Sequence, residues 1–323
     1  MNSFDSIVSF GSTTSDTDNT ALSSPQGVVV NPVDKVVAVL DSGNNRIQVF
    51  DLQGLKYRST VSTWGDYNQY SFTDLGDIAY YDGSYFVSET GYHVLIRFDK
   101  DFNYIQHFGT YDTSDTDSAS LSSPQGVDAR EDAVYVADYA NDRVMILTNR
   151  LEYSDSFTVS TPYGIHYNEM NDNLIVTNST DSRVEKYKMD GNRISYSSCS
   201  IGSPGYVTVL HDKIYIADIT NNIVQVLSTA DLTYLESDGT YTSCGGIDGF
   251  DNSLFISSQH KLDSIYCYLP ELSITPSSTP VIGGNRYRTP SNIVGQTVCG
   301  GESDRNEFVE EDKLSDSILW ENE

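Results

Sequence analysis

The sequence is poor in basic residues, and this scarcity excludes several classes of partner. Lys and Arg together number 19 against 46 Asp and Glu, which gives a formal net charge of −27 at pH 7. A charge of this size repels nucleic-acid phosphates and anionic lipid surfaces. We therefore expect no nucleic-acid partner and no membrane insertion.

Cysteines and long apolar runs are scarce as well. Cys199, Cys244, Cys267 and Cys299 lie far apart, which fits neither a CxxC metal site nor a dense disulfide framework, so we expect them to be mostly reduced. No window approaches the run of about 18 apolar residues that a membrane span needs. Residues 1–20 have no basic start followed by an apolar core. The sequence thus predicts no signal peptide and favours a virion or cytoplasmic location.

Motifs of catalysis are missing too. The sequence contains no nucleophile elbow, no phosphate-binding glycine loop, and no HExxH or CxxC set. We therefore expect a non-catalytic chain that needs no cofactor.

One stretch, residues 22–50, recurs along the chain. Its β-rich runs 27–30 and 35–40, a polar turn, and a third run 46–50 predict three strands joined by tight turns. The start of this stretch recurs, intact or degraded, at Gly27, Gly76, Gly126, Gly164, Tyr206 and Gly246. A period near 40 residues with four strands in each repeat predicts an all-β fold, a six-bladed β-propeller.

The same stretch resembles the repeat of the NHL-repeat six-bladed β-propeller family. That repeat has a Pro-x-Gly start, a second strand ending in Asp, an Asn turn and a third strand similar to RIQVF. The matching residues here are Pro25, Gly27, Asp41, Asn44, Arg46, Ile47, Val49 and Phe50.

A second match predicts how the ring closes. Phe4–Gly11 aligns without a gap to Phe102–Gly109, which occupies the fourth-strand position of blade two. Blade six supplies only three strands of its own, so we expect the N-terminal strand to complete it and to leave no open edge. The propeller is predicted to span residues 1–270.

Acidic residues recur at the ends of second strands, at Asp41, Asp138 and Asp218. We interpret them as structural acceptors for N–H groups of the following turn.

The links that lead into the first three blades exceed their structural need, and such loops often carry binding sites. In the links 64–71 and 110–120, aromatic side chains offer stacking surfaces for a glycan or a protein. The predicted ligand-binding residues are Trp64, Tyr67, Tyr70 and Tyr111. The alternative is that these aromatics pack the loops onto the blades.

Two of the links carry nearly the same acidic text, SDTDNTALSSPQGV and SDTDSASLSSPQGV. Their paired carboxylates suit a calcium ion, which prefers several oxygen ligands. The candidate ligands are Asp16, Asp18, Asp115 and Asp117. A solvated acidic loop is the alternative, since neither a central glycine nor a closing Glu follows.

The innermost strands suggest an alternative, catalytic function. Their expected axial positions are Val29, Ile78, Asp128, His166, Thr208 and Asp248. Relatives of this architecture include amidating lyases that hold zinc and lactonases that hold calcium in the central channel. By that resemblance Asp128, His166 and Asp248 are candidate metal ligands or acid/base groups of a metal-dependent lyase or lactonase. Otherwise they line a wet channel.

Residues 271–323 break the repeat and form a predicted extended acidic arm. Its end carries apolar residues, Leu314, Ile318, Leu319 and Trp320, that suit docking on another protein subunit or on the chain's own propeller. The leading prediction is a non-catalytic binding or structural propeller in a larger assembly. Its acidic, halophilic-like composition and its arm favour a virion surface component, such as a spike, fibre or turret protein that contacts protein or glycan.

Overall fold

The computed structural model describes residues 4–11, 18–239 and 241–267. These residues form 26 β-strands and three 3-10 helices, Ser42–Asn44, Asp66–Asn68 and Tyr139–Asn141. In this described part of the chain, no helix has the length and apolar character needed to cross a membrane.

The strands group into blades in the order in which the chain supplies them. The chain begins with β1 (Phe4–Gly11), followed by blade one with β2 (Val28–Asn31), β3 (Val36–Asp41), β4 (Arg46–Asp51) and β5 (Tyr57–Val61). A small hairpin, β6 (Thr63–Trp64) and β7 (Tyr70–Ser71), precedes blade two, which has β8 (Leu75–Tyr81), β9 (Ser84–Glu89), β10 (Val94–Asp99) and β11 (Tyr104–Phe108). Blade three has β12 (Pro124–Ala129), β13 (Val134–Asp138), β14 (Arg143–Leu147) and β15 (Tyr153–Thr158). Blade four has β16 (Pro162–Asn168), β17 (Asn173–Asn178), β18 (Arg183–Tyr187) and β19 (Arg193–Tyr196). Blade five has β20 (Pro204–Leu210), β21 (Lys213–Asp218), β22 (Ile223–Ser228) and β23 (Tyr234–Asp238), and the chain then adds β24 (Cys244–Phe250), β25 (Ser253–Ser258) and β26 (Lys261–Cys267).

These sheets close into a ring of six. Each of the first five blades is a four-stranded antiparallel sheet, and the innermost strands β2, β8, β12, β16, β20 and β24 contact one another in that order, with β24 returning to β2. Blade six takes β1 as its fourth strand, antiparallel to β26. The predicted all-β six-bladed propeller and its closure by the N-terminal strand are therefore confirmed.

The core follows from the sequence of the middle strands. Val36–Asp41 is an almost unbroken apolar run, and all six residues are buried, because each blade is covered by a neighbour on both faces. Six apolar clusters fill the six gaps between adjacent blades. The outermost strands are exposed and polar, as in Tyr57–Val61.

The ring has two faces, which carry different turns. The link face carries the links into the innermost strands and the turns between second and third strands. The hairpin face carries the turns between first and second strands, such as residues 82–83 between β8 and β9. The enlarged links, including the β6–β7 hairpin, belong to the link face.

Candidate functional site

The strand register identifies the side chains that share one level of the central channel. Asp128 pairs with Tyr135, His166 with Ile175, and Asp248 with Phe255, so these three inner-strand residues occupy equivalent positions in blades three, four and six. They are brought to the same axial row, as the sequence predicts.

Blade two differs from the expected alignment by one residue. Ala79 pairs with Phe86 and takes the axial position, whereas the predicted Ile78 pairs with Val87 one step earlier. The expected blade start at Gly76 is wrong for the same reason, because the position equivalent to Gly126 belongs to Asp77. The shift places an acidic side chain where most blades have glycine.

At that glycine level the innermost strands of neighbouring blades approach each other closely. A Cβ on Gly126 would lie 2.5 Å from the carbonyl oxygen of Tyr163 in the next blade, so only glycine permits the two inner strands to approach this closely. The two exceptions, Asp77 and Tyr206, face each other from opposite blades. The buried Tyr206 hydroxyl donates a hydrogen bond to the carbonyl of Gly76 in blade two at 2.8 Å. The Tyr206 ring therefore spans the channel and blocks it.

On the hairpin side of this block the channel widens into a cavity of about 600 Å³. We call it the axial cavity. Asp77, Asp128, His166 and Asp248 lie in its wall, and Glu169 lies at its mouth. The cavity thus opens on the face opposite the enlarged links.

Three carboxylates in the cavity wall join one blade to the next. Asp77 accepts a hydrogen bond from the backbone N–H of Val127 at 3.2 Å. Asp128 accepts one from Tyr167 at 2.6 Å, in blade four. Asp248 accepts one from Val30 at 2.8 Å, in blade one. Each carboxylate therefore has a structural role at a blade junction.

Burial also changes the acidity of these groups. It raises the pKa of Asp77 well above its usual range, and it raises the pKa of Asp248 to about 7. Burial likewise raises the pKa of Asp128, although the nearby His166 acts in the opposite direction. The cost of desolvating an anion explains all three shifts.

Asp128 and His166 form the closest ionisable pair in the predicted catalytic set. Nδ1 of His166 lies 3.5 Å from Oδ2 of Asp128, which is at the outer limit of a hydrogen bond. Within residues 4–11, 18–239 and 241–267, no group of three His, Cys, Asp or Glu side chains is placed to hold a metal ion. The arrangement offers acid/base groups and negative charge, and the metal-ligand role of Asp128, His166 and Asp248 stays a prediction.

The strand-end acids are acceptors, as the sequence predicts, and they also bind the preceding link. Asp138 accepts hydrogen bonds from the N–H of Ser122 in the link at 2.6 Å and from the side-chain amide of Asn141 in the turn at 2.8 Å. Asp218 accepts one from the turn N–H of Asn221 at 3.1 Å. These residues fix the link and the turn together.

Each duplicated acidic link wraps around an arginine. The guanidinium of Arg143 donates to the carbonyl oxygens of Thr116 at 3.0 Å, Asp117 at 2.8 Å and Ser120 at 2.9 Å, while its Nε contacts the carboxylate of Asp138 at 2.7 Å. In blade one, Arg46 makes the equivalent bonds to the carbonyls of Asp18 and Ala21 and to the carboxylate of Asp41. We call each set of carbonyl oxygens around an arginine an arginine cage, and the two cages account for the nearly identical sequences of the two links.

The carboxylates of those links are used within their own turns. Asp18 accepts from the backbone N–H of Thr20 at 2.7 Å, and Asp117 accepts from that of Ala119 at 2.9 Å. Asp115 accepts from the N–H of Thr116 at 2.6 Å. Asp16 lies outside the described residues, and the calcium site stays a prediction.

The predicted aromatic residues have unequal exposure. Trp64 is fully buried, and its ring packs on Tyr70 and near Tyr111, whose own rings stack at 4.3 Å. Tyr67, by contrast, is fully exposed at the tip of the β6–β7 hairpin, with a φ of 58°. Trp64 is thus a core residue of the link, and Tyr67 is the aromatic side chain available to a partner.

Sequence reasoning missed Asp77, Tyr206 and the two arginine cages. A signal was present for the first two, because each replaces a glycine that recurs on the innermost strands. The arm residues Leu314, Ile318, Leu319 and Trp320 lie outside the described residues.

Comparisons with known proteins agree with this architecture. Residues 22–50 match the model of the NHL repeat. No curated protein sequence is significantly similar to the chain.

Solved structures share the fold at low sequence identity. A streptogramin B lyase structure is 13% identical with a TM-score of 0.56, covering 80% of this chain and 97% of the lyase. A nidogen/laminin complex structure is 18% identical with a TM-score of 0.58, and the match covers 69% of this chain and 84% of the chain in that structure. A protein of unknown function from Bacteroides thetaiotaomicron is 15% identical with a TM-score of 0.60, and the match covers 81% of this chain and 75% of that protein's chain. These likenesses concern the fold alone: the chain is a six-bladed β-propeller, and residues 22–50 in its first blade match the NHL repeat.

Proposed function

We propose that the chain is a non-catalytic binding and structural module of a larger assembly. The observation that carries this proposal is the use of Asp77, Asp128 and Asp248 as hydrogen-bond acceptors between blades. Groups held in this way stabilise the ring and are not free to move with a reacting substrate. A binding role also accords with the similarity to a nidogen/laminin complex structure.

The enlarged links are the proposed contact surface for a protein or glycan. Trp64, Tyr70 and Tyr111 pack the β6–β7 hairpin onto blade two, and this packing holds Tyr67 outward. The Arg143 cage fixes the neighbouring link in the same manner. A rigid loop loses little conformational entropy on binding, so an exposed aromatic side chain on it is favourable for affinity.

Loop replacement tests this surface. We expect that replacing residues 65–69 and 112–114 by short turns, which keeps the buried Trp64 and the carbonyl partners of Arg143, leaves a folded propeller that no longer binds its partner, while Tyr67→Ala alone weakens binding by about tenfold or more. Tyr153→Ala, an exposed tyrosine on the outermost strand β15, is the matched control. Binding that survives both loop replacements would refute the assignment.

Assembly through the arm is a further part of the proposal. The apolar residues Leu314, Ile318, Leu319 and Trp320 within an acidic segment are suited to docking on another subunit, and the acidic composition suits a virion surface component. Deleting residues 271–323 should leave a soluble, cooperatively melting propeller that fails to join the assembly. Loss of folding on that deletion would place the arm in the propeller's own core.

A metal-dependent lyase or lactonase is the second candidate. The proximity of His166 to Asp128 favours it, as does similarity to a streptogramin B lyase. Metal analysis of the purified full chain, with Asp128→Ala and His166→Ala, separates the candidates. Stoichiometric metal that both variants lose would favour the enzyme.

A further inference from the structure

The axial cavity lies on the hairpin face, so it is separate from the contact surface proposed above. Its volume of about 600 Å³ is within the range of small-molecule sites. Tyr206 crosses the channel on the side of the links, and residues of the hairpin-face turns, such as Asp82 and Glu169, surround the mouth of the cavity.

The lining of this cavity is rich in carboxyl groups and partly apolar. Among the described residues that form it, none is Lys or Arg, whereas Asp77, Asp128, Asp248, Asp82 and Glu169 all contribute carboxylates. Such a site attracts positive charge, and its low-dielectric walls strengthen that attraction.

Aromatic and aliphatic side chains separate the carboxylates. Tyr80, Tyr81 and Phe250 lie near the mouth, and Val207 and Val209 lie in the wall. Aromatic faces favour organic cations through cation–π attraction, and aliphatic walls suit their methylene groups. This lining matches an organic cation better than a bare metal ion.

We propose that the axial cavity binds an organic cation, an ammonium or guanidinium group on an aliphatic stem. The cation approaches the carboxylates of Asp128 and Asp248, and the stem lies against Val207 and Val209. The cation belongs either to a free small molecule or to a Lys or Arg side chain of a peptide.

The acidity of the wall gives this binding a measurable signature. Burial raises the pKa of Asp248 to about 7, and the carboxylates of Asp77 and Asp128 also act on it. A bound cation stabilises the ionised carboxylate, so binding near neutral pH should release protons. The other ionisable residues that line the cavity are Tyr80, Tyr81, Asp82, His166, Tyr167, Glu169 and His211.

Isothermal titration of the full chain tests the proposal with three probes at one ionic strength. The probes are spermidine, the peptide acetyl-Gly-Gly-Arg-Gly-Gly-amide, and the same peptide with neutral citrulline in place of arginine. We expect the arginine peptide, spermidine or both to bind, and the citrulline peptide to bind at least about tenfold more weakly than the arginine peptide if that peptide binds. Binding of spermidine alone identifies a free cation, and binding of the peptide alone identifies a side chain. Equal binding of the two peptides, or binding of none of the probes, overturns the proposal.

Variants locate the site. Val209→Arg places a guanidinium inside the cavity and should abolish probe binding, whereas Val209→Leu should preserve it. Asp82→Asn with Glu169→Gln changes only exposed residues at the mouth and should weaken binding several-fold even if Val209→Arg fails to fold. Asp155→Asn with Glu152→Gln, at two exposed positions outside the cavity, controls for the loss of two negative charges. Unchanged probe binding in both Val209→Arg and the double variant Asp82→Asn with Glu169→Gln would exclude the axial cavity as the binding site.

Discussion

At the scale of single residues, the axial aspartates combine two opposed properties. Asp248 accepts hydrogen bonds from the N–H groups of Val30 and Gly249, both at 2.8 Å, which favour its ionised form. Burial disfavours that form more strongly, so the pKa of Asp248 rises to about 7. The folded protein therefore binds a proton here that the unfolded chain releases.

This difference predicts a pH dependence of stability. The folded pKa of about 7 lies above the usual value of 3.8, so the stabilisation by the bound proton is fully present below pH 3.8 and is lost as the pH rises through 7. We expect the unfolding free energy of Asp248→Asn to change less than that of the parent between about pH 5 and about pH 8. Urea unfolding at both pH values measures this, with Asp155→Asn as a control that keeps the parent's slope. Parallel slopes for Asp248→Asn and the parent would contradict the prediction.

Arginine residues show how strongly context changes the value of an ion pair. Asp138 is fully buried, and Arg143 binds both its carboxylate and three carbonyls of the preceding link. Arg58 pairs with Asp51 on the surface, where both side chains are about a third to a half exposed. Removing Arg143 would leave the buried carboxylate of Asp138 without its cation, whereas removing Arg58 would leave an exposed one.

We therefore expect Arg143→Ala to lower the unfolding free energy by about 3 to 5 kcal/mol. Arg58→Ala, the matched change at the surface, should cost about 0 to 1 kcal/mol. Chemical denaturation of the two variants compares them directly. Similar losses in both would show that the cage around Arg143 does not stabilise the fold.

At the scale of blades, the structure has two alternating types. The two types differ at the next-to-last residue of the second strand of each blade. In blades two, four and six this residue carries a hydroxyl group: Ser88, Thr177 and Ser257. In blades one, three and five it is apolar: Leu40, Ala137 and Ala217. The odd blades in turn share an Asp with an Asn three residues later, bonded through the Asn amide. A pair of blades, rather than one blade, is thus the repeating unit of the ring.

The even-blade hydroxyls join neighbouring blades. Thr177 Oγ1 accepts a hydrogen bond from Gly164 N–H at 2.7 Å and donates one to the carbonyl of Gly205 in blade five at 2.8 Å. Ser257 makes the equivalent bonds to Gly246 and to Gln26 of blade one. A methyl group in place of the Thr177 hydroxyl would remove both of its hydrogen bonds.

Thr177→Val should accordingly lower the unfolding free energy by about 1 to 3 kcal/mol with little change in volume. Thr158→Val, at an exposed position of β15, is the control and should have almost no effect. Thermal unfolding of both variants measures the difference. A Thr177→Val protein as stable as its parent would mean that these hydroxyls are dispensable at the blade junction.

At the scale of the whole molecule, closure joins the two ends of the propeller. β1 supplies the fourth strand of blade six and pairs with β26 along most of its length. Without it, β26 becomes the outermost strand of blade six, and its buried residues Leu262 and Ile265 then lie on an edge strand, whereas an outermost strand such as Tyr57–Val61 is polar. An unprotected edge strand is a template for pairing with other chains.

Deleting residues 4–11 should therefore lower the melting temperature and produce concentration-dependent association. Size-exclusion chromatography over a range of concentrations, with thermal unfolding, tests this expectation. The chain lacking residues 271–323 is the comparison, because we predict that it stays monodisperse and cooperative. A monodisperse variant without residues 4–11 and with parental stability would show that β1 is not required for closure.

The sequence by itself determined the number of blades, their order and the strand that closes the ring. These features rest on local patterns, namely the apolar period of the strands, the recurring turn residues and the match of Phe4–Gly11 to Phe102–Gly109. The tertiary structure decided that Asp77 replaces a recurring glycine of the innermost strands, that Tyr206 blocks the channel, and that Trp64 is buried. Those features depend on the register between strands and on side chains that meet across opposite blades. A residue's local sequence holds no information on either, because the partners become neighbours only when the ring has closed.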